Sequence, residues 1–145
     1  MKTAKQLLAI SAFVSVIMLP TIVDACTRVV YHGDKGQVIT ARSMDWSTDI
    51  MSDLWVFPKG MQRDGSAGKN SIKWTSKYGS VTTSAYNAAT VDGVNEKGLM
   101  ANMLWLAESE YPGKDNNKPR LSMAAWAQYV LDNYASVAEI GRAHV

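Results

Sequence analysis

One cysteine, placed at the exit of an apolar leader, sets the terms on which this chain folds. Cys26 is the only cysteine among 145 residues, so no intramolecular disulfide can staple the structure. The segment before it has a basic start (Lys2, Lys5), an apolar stretch from Leu7 to Val23 and the small residue Ala25 at its end. That layout is a secretion signal cut after Ala25, which predicts a signal peptide over 1–25 and a mature chain beginning at Cys26. About 120 residues then remain. They must hold together by core packing, and the length suffices for one modest core.

Cleavage after Ala25 gives Cys26 both a thiol and a free α-amine. Such a residue can be a complete nucleophile and base, because an N-terminal amine can take the proton of its own side chain. An exported protein that uses cysteine structurally shows an even count, whereas a lone cysteine is a free thiol or an intermolecular partner. Two other readings stand beside the nucleophile. A free cysteine is often a buried, inert packing residue. Cys26 can also be a lipoprotein anchor, although Asp24 fits that signal poorly. The anchor and the nucleophile exclude each other, since acylating the amine removes the base.

Composition narrows the class. The chain is 47% hydrophobic and 19% charged with a net charge of +2, values of a globular domain. Losing two lysines and one aspartate with the leader lowers the charge to +1. A chain this close to neutral has no electrostatic footprint for nucleic acid. After Val23 no apolar run is long enough to span a bilayer, so no membrane association is expected after processing, and export points to the periplasm or the medium. No repeat of solenoid length is present.

Along the mature chain, Thr27–Tyr31 and Gln37–Arg42 are rich in β-branched residues and flank the turn chemistry of Gly33-Asp34-Lys35-Gly36. The spacing predicts a hairpin that starts at Cys26. Trp55-Val56-Phe57 reads as a strand ended by Pro58, and Gly60–Asn70 as a surface loop. Ile72–Thr75 and Ser80–Tyr86 are expected to pair, with Trp74, Val81 and Ala85 inward. Asp92–Gly98 reads as a turn-rich bridge into Leu99–Leu106, an apolar run expected to be a strand covered on both faces. Ser122 is a helix cap for a helix to about Asn133, with Met123, Trp126, Ala127, Val130 and Leu131 on its apolar stripe. Ser136 and Glu139 form a capping-box pattern for a second helix. Strands followed by helices predict an α+β domain. Glu139–Val145 reads as the translation of sequencing-adapter DNA. Residues 139–145 are therefore expected to be a non-native tail on the amino-terminal part of a longer protein.

Few side chains outside Cys26 carry chemistry. A cysteine nucleophile acts as the thiolate, which nearby cations favour. Arg42 ends the strand that returns to Cys26, and Asp45, three residues on, can accept hydrogen bonds from the α-amine. Spacing alone leaves an alternative open, an Arg/Asp pair capping a surface turn. His32 and His144, with no carboxylate cluster, give no metal-site pattern. The tryptophans and methionines are core or pocket material.

Three stretches carry a resemblance. Cys26-Thr27, Ala41-Arg42-Ser43-Met44-Asp45-Trp46 and Asp92-Gly93-Val94-Asn95-Glu96-Lys97-Gly98-Leu99 stand in the order and spacing of the choloylglycine hydrolase family. The helical stretch Ala125–Ala138 also resembles the family's following segment, so that residues 26–138 are similar to its amino-terminal part. The resemblance implies a four-layer αββα sandwich of the N-terminal-nucleophile hydrolases, acting on a small-molecule N-acyl amide with no cofactor and compatible with a homo-oligomer at full length. Cys26 would be the nucleophile, with Arg42 and Asp45 as partners, and Asn95 would serve a turn. Six positions after Leu99, bile salt hydrolases place an oxyanion-hole asparagine where this chain has Trp105. The oxyanion then needs other donors, such as the Trp105 indole N–H or a backbone N–H. Trp105 is also expected to bind substrate as an aromatic wall, which favours the acylases for penicillin V or acyl-homoserine lactones over strict bile salt hydrolases. A lipid-anchored periplasmic binding or structural protein, acylated at Cys26, is the alternative. Intact mass of the mature protein separates the two by the presence of a diacylglyceryl group.

Overall fold

The computed structural model describes residues 26–106, 109–110 and 117–143; the leader expected over residues 1–25 lies outside the described residues. The chain divides into two units between Asp45 and Trp46.

The first unit is the expected hairpin. Strand β1 (Arg28–His32) pairs antiparallel with β2 (Val38–Arg42), in a register that sets Arg28 opposite Arg42 and His32 opposite Val38. The chain reverses through a 3-10 turn at Asp34–Gly36, where Lys35 and Gly36 take φ of 59° and 77°. Glycine enters that left-handed region without a Cβ penalty. The Gly33 N–H donates to the Gln37 carbonyl at 2.8 Å and closes the turn. At the other end the Ser43 N–H donates to the Thr27 carbonyl at 2.9 Å, which carries the pairing one step further toward Cys26.

The second unit is built on a four-stranded antiparallel sheet in the order β3 (Leu54–Phe57), β6 (Ser80–Ala85), β7 (Ala89–Asn95), β8 (Met100–Asn102). Several sequence expectations are corrected here. The glycine-rich stretch expected to be a loop contains strand β4 (Gln62–Asp64). It pairs with β5 (Lys73–Thr75), so the 72–75 segment joins β4 and not Ser80–Tyr86. Asp64 ends β4 by accepting from the Ser71 hydroxyl at 2.7 Å and the Ser66 N–H at 2.8 Å. These bonds hold its carboxyl below the usual carboxylate value. The bridge expected over Asp92–Gly98 is strand as far as Asn95. The apolar run Leu99–Leu106 gives only the three residues of β8, while Leu104, Trp105 and Leu106 are exposed.

Helix α1 (Met123–Asn133) starts at the expected cap, where the Ser122 hydroxyl accepts from the Ala125 N–H at 3.3 Å. It packs on β7 and β8. Gly93 permits the close approach: a Cβ there would stand 2.7 Å from Leu131 Cδ1 and 2.9 Å from the Val81 carbonyl. Ala127, Val130 and Leu131 are buried as expected, with Leu99 and Ala85 completing the core, whereas Met123 and Trp126 are exposed. The reason is that α1 also buries two polar residues. Gln128 donates to Asp132 Oδ1 at 2.7 Å and to the Ser80 hydroxyl at 3.2 Å. Asp132, fully buried, accepts from the Trp74 indole at 2.7 Å and lies 3.4 Å from Arg63 Nε.

That polar layer overturns the expected inward position of Val81 on β6, while Ala85, beyond a register shift between Thr83 and Ser84, is buried as expected. Ser80, Thr82 and Ser84 are buried, while Val81 points the other way, in one cross-strand row with Val56, Val94 and Met100. All four of these apolar residues are exposed. Helix α2 (Val137–Ala143) follows. Glu139 does not complete the expected box with Ser136; its carboxylate accepts from the Ala135 N–H at 2.8 Å instead.

Candidate active site

Register explains how three of the expected site residues meet. Side chains alternate faces along a strand, and Arg28 stands directly opposite Arg42. Continuing the alternation by two residues puts Cys26 on the same face, diagonal to Arg42 and within reach of a long side chain. The guanidinium uses that reach: Arg42 Nη2 lies 3.9 Å from Cys26 Sγ, with Cys26 half-buried. A permanent positive charge thus stands beside the sulfur. Arg42 is steadied at its other end, where Nε donates to the Ser43 carbonyl at 3.3 Å.

Asp45 closes the group from the far side of the turn. Its backbone carbonyl lies 4.0 Å from Cys26 Sγ, within range of a weak S–H donor, and its carboxylate accepts from the Ser43 hydroxyl at 3.2 Å. Arg42 thus approaches the thiol through its guanidinium and Asp45 through its backbone carbonyl, while the Asp45 carboxylate bonds locally to Ser43.

Trp105 belongs to the second unit. It follows β8, is exposed, and meets Trp46 edge to face with ring centroids 5.9 Å apart. Trp46 is itself held, its indole donating to the Tyr86 hydroxyl at 3.0 Å, with Thr48 Oγ1 at the same distance from that hydroxyl. Tyr86 adopts a φ of 54°, costly for a bulky residue, and its N–H donates to the Ile50 carbonyl at 2.7 Å. Sequence reasoning named Trp105 but not its contact with Trp46 or the bond from Trp46 to Tyr86, because these residues are distant in the chain.

Asn95 behaves as a turn residue. Its carbonyl oxygen accepts from the N–H groups of Lys97 and Leu99, and its amide donates to the carbonyls of Leu131 and Tyr134, each at 2.8–3.1 Å. A side chain whose hydrogen-bonding capacity is filled in this way ties the β7–β8 turn to the end of α1 and has nothing left for substrate. A cavity of about 320 Å³ opens between β3, β6 and α1, lined by Trp55, Phe57, Arg63, Trp74, Thr82 and Gln128. None of Cys26, Arg42, Asp45 or Trp105 lines it.

Comparison with known proteins decides what this arrangement is related to. The model of the linear amide C–N hydrolases, choloylglycine hydrolase family, matches residues 26–143. The chain belongs to the choloylglycine hydrolase family. A penicillin V acylase from Pectobacterium atrosepticum is 58% identical over 124 residues, covering 79% of this chain and 33% of that protein. Among solved structures, penicillin V acylase from Agrobacterium tumefaciens superimposes with a TM-score of 0.77 at 63% identity, over 80% of this chain and 37% of that one. A mutant of the conjugated bile acid hydrolase from Clostridium perfringens shares the fold at 21% identity, with a TM-score of 0.67 over 82% of this chain and 37% of its own. These neighbours place the α+β chain in the fold of the N-terminal-nucleophile hydrolases. This choloylglycine hydrolase family member spans about a third of the length of the relatives it matches.

Proposed function

We propose that this chain supplies the nucleophile and two of its partners to an exported hydrolase of linear amide C–N bonds, acting on penicillin V or acyl-homoserine-lactone-like substrates in preference to bile salts. The observation that carries this reading is the approach of Arg42 Nη2 to within 3.9 Å of the thiol of Cys26, two residues before the start of β1. The 58% identity to a penicillin V acylase supports the substrate class. The Trp46–Trp105 pair supports it as well, because an exposed pair of indoles suits an aromatic or fatty acyl group.

The reaction follows from the groups. The α-amine of Cys26, freed by cleavage, takes the thiol proton, and the thiolate attacks the amide carbonyl. Negative charge passes to the carbonyl oxygen, and the intermediate collapses with rupture of the C–N bond. The proton leaves on the departing amine. Water then adds to the thioester, the C–S bond breaks, and the acid departs as the thiol and amine are restored. Arg42 keeps positive charge beside the sulfur while that sulfur is anionic, and Asp45 orients the amine.

In the complete mature protein carrying this chain, Cys26→Ser should lose most turnover of penicillin V, because a hydroxyl is far less acidic than a thiol. Iodoacetamide should inactivate the parent in proportion to the alkylated fraction of Cys26, read by peptide mass. Full turnover after complete alkylation would remove the nucleophile reading.

A further inference from the structure

The last rung of the hairpin is irregular, and its irregularity is one side chain. Thr27 and Ser43 face each other one step beyond the Arg28–Arg42 pair. In a regular antiparallel ladder such a pair exchanges two bonds, each N–H donating to the other's carbonyl. Here the Ser43 N–H donates to the Thr27 carbonyl at 2.9 Å, but the Thr27 N–H donates to the Ser43 hydroxyl oxygen at 3.3 Å. The Ser43 carbonyl accepts Arg42 Nε at 3.3 Å. The hydroxyl thus takes the place of its own residue's carbonyl in the ladder, and that carbonyl serves to hold the arginine. The same hydroxyl donates its proton to Asp45 Oδ2 at 3.2 Å. Ser43 therefore touches the residue after the thiol, the arginine beside the thiol and the aspartate across from it.

We propose that Ser43 is a positioning residue for amide hydrolysis, its hydroxyl fixing the Cys26–Thr27 backbone and the Asp45 carboxylate in one geometry through a single atom. The inference rests on Cys26 being the nucleophile and Asp45 its partner. The hydroxyl is suited to the task because it is both acceptor and donor, and here it uses both capacities at once. Threonine keeps that pair of capacities and tolerates extended backbone. Valine matches threonine in shape and has neither. Without the hydroxyl the Thr27 N–H returns to the Ser43 carbonyl, in competition with Arg42, and Asp45 loses its donor.

The test compares Ser43→Thr with Ser43→Val in the complete mature protein, assayed for hydrolysis of penicillin V, with thermal melts confirming that each variant is folded. Loss of a hydrogen bond to a charged group sets the expected scale, so Ser43→Val should lower kcat by about tenfold or more while KM changes little. Ser43→Thr should retain kcat within about threefold, a difference smaller than one such bond. Equal kcat in the two variants overturns the proposal, as does a loss confined to KM. If Ser43→Val does not fold, Ser43→Ala replaces it under the same criteria, and parent-like kcat in that variant is equally fatal. Cys26→Ser, run in parallel, separates the two claims. Turnover by that variant would remove the underlying reading whatever the Ser43 variants do, whereas an inactive Cys26→Ser beside a fully active Ser43→Val would remove only the role of Ser43.

Discussion

The two units of this chain are held together by different physics. In the second unit, Leu99, Ala127, Val130 and Leu131 form an apolar core, and Asp132, Gln128 and Asn95 are buried with their hydrogen bonds satisfied. In the hairpin unit, no described residue is fully buried, and Val29, Tyr31, Val38 and Ile39 are each more than half exposed. The thiol, Arg42 and Asp45 all belong to this unit, at the open end of the hairpin. Their arrangement is therefore a matter of ladder register and a few polar contacts, while the sheet and helix owe their arrangement to packing. Changes at the first few backbone atoms should thus fall on chemistry, and changes under α1 should fall on stability.

The sharpest way to break this contrast is at the start of the hairpin. Adding one alanine before Cys26 in the complete mature protein leaves every side chain in place and removes only the free amine from the reacting residue. Loss of the general base should reduce turnover by about 10²-fold or more, with thermal stability unchanged. Undiminished turnover with the alanine shown by mass to be retained would end the self-base mechanism.

Asp132→Ala probes the other side. It removes the fully buried carboxylate that accepts from the Trp74 indole and Gln128 and that faces the Arg63 guanidinium at 3.4 Å. Breaking such a pair costs about 3–5 kcal/mol, read as a shift in the denaturant midpoint. Iodoacetamide reactivity of Cys26 in the folded protein should change little. A variant of parental stability would show that the network contributes nothing to the second unit.

Gly93→Ala should cost about 1–3 kcal/mol, the usual penalty for overpacking, because the new methyl meets the Val81 carbonyl as well as Leu131 and Thr82. A flexible leucine end can yield, but a strand carbonyl cannot yield without moving the ladder. Ser122→Ala, the mildest change, removes the acceptor for the Ala125 N–H and should cost about 1 kcal/mol. Either substitution can be scored by chemical denaturation, and a Gly93→Ala effect below that of Ser122→Ala would contradict the close approach of α1 to β7.

What the sequence disclosed follows the same division. The hairpin was legible because its turn residues and β-branched runs are local signals, and the α1 cap was legible for the same reason. The approach of Arg42 to Cys26 followed from the hairpin, since register carries one end of a strand back to the other. The second unit was harder. Strand β4 hides among glycines and polar residues, and its partner β5 supplies too few residues to show a period. The buried face of β6 is serine and threonine because the facing helix brings Gln128 and Asp132, a condition invisible in β6 alone. The apolar run after Leu99 overstated β8, since hydrophobicity measures burial in a whole structure and not strand length. Ser43 was within the motif that carried the resemblance, yet its role emerges only from the pairing of residue 43 with residue 27.

The central claim is that the sulfur of Cys26 becomes acylated during turnover. The complete mature protein, mixed with excess penicillin V and quenched in acid within the first turnovers, should carry the mass of one acyl group on the peptide that begins with Cys26. Hydroxylamine should remove that mass, as expected of a thioester. An acyl group found on any other residue, or a Cys26 peptide left unmodified while product accumulates through an observed burst, would contradict the account.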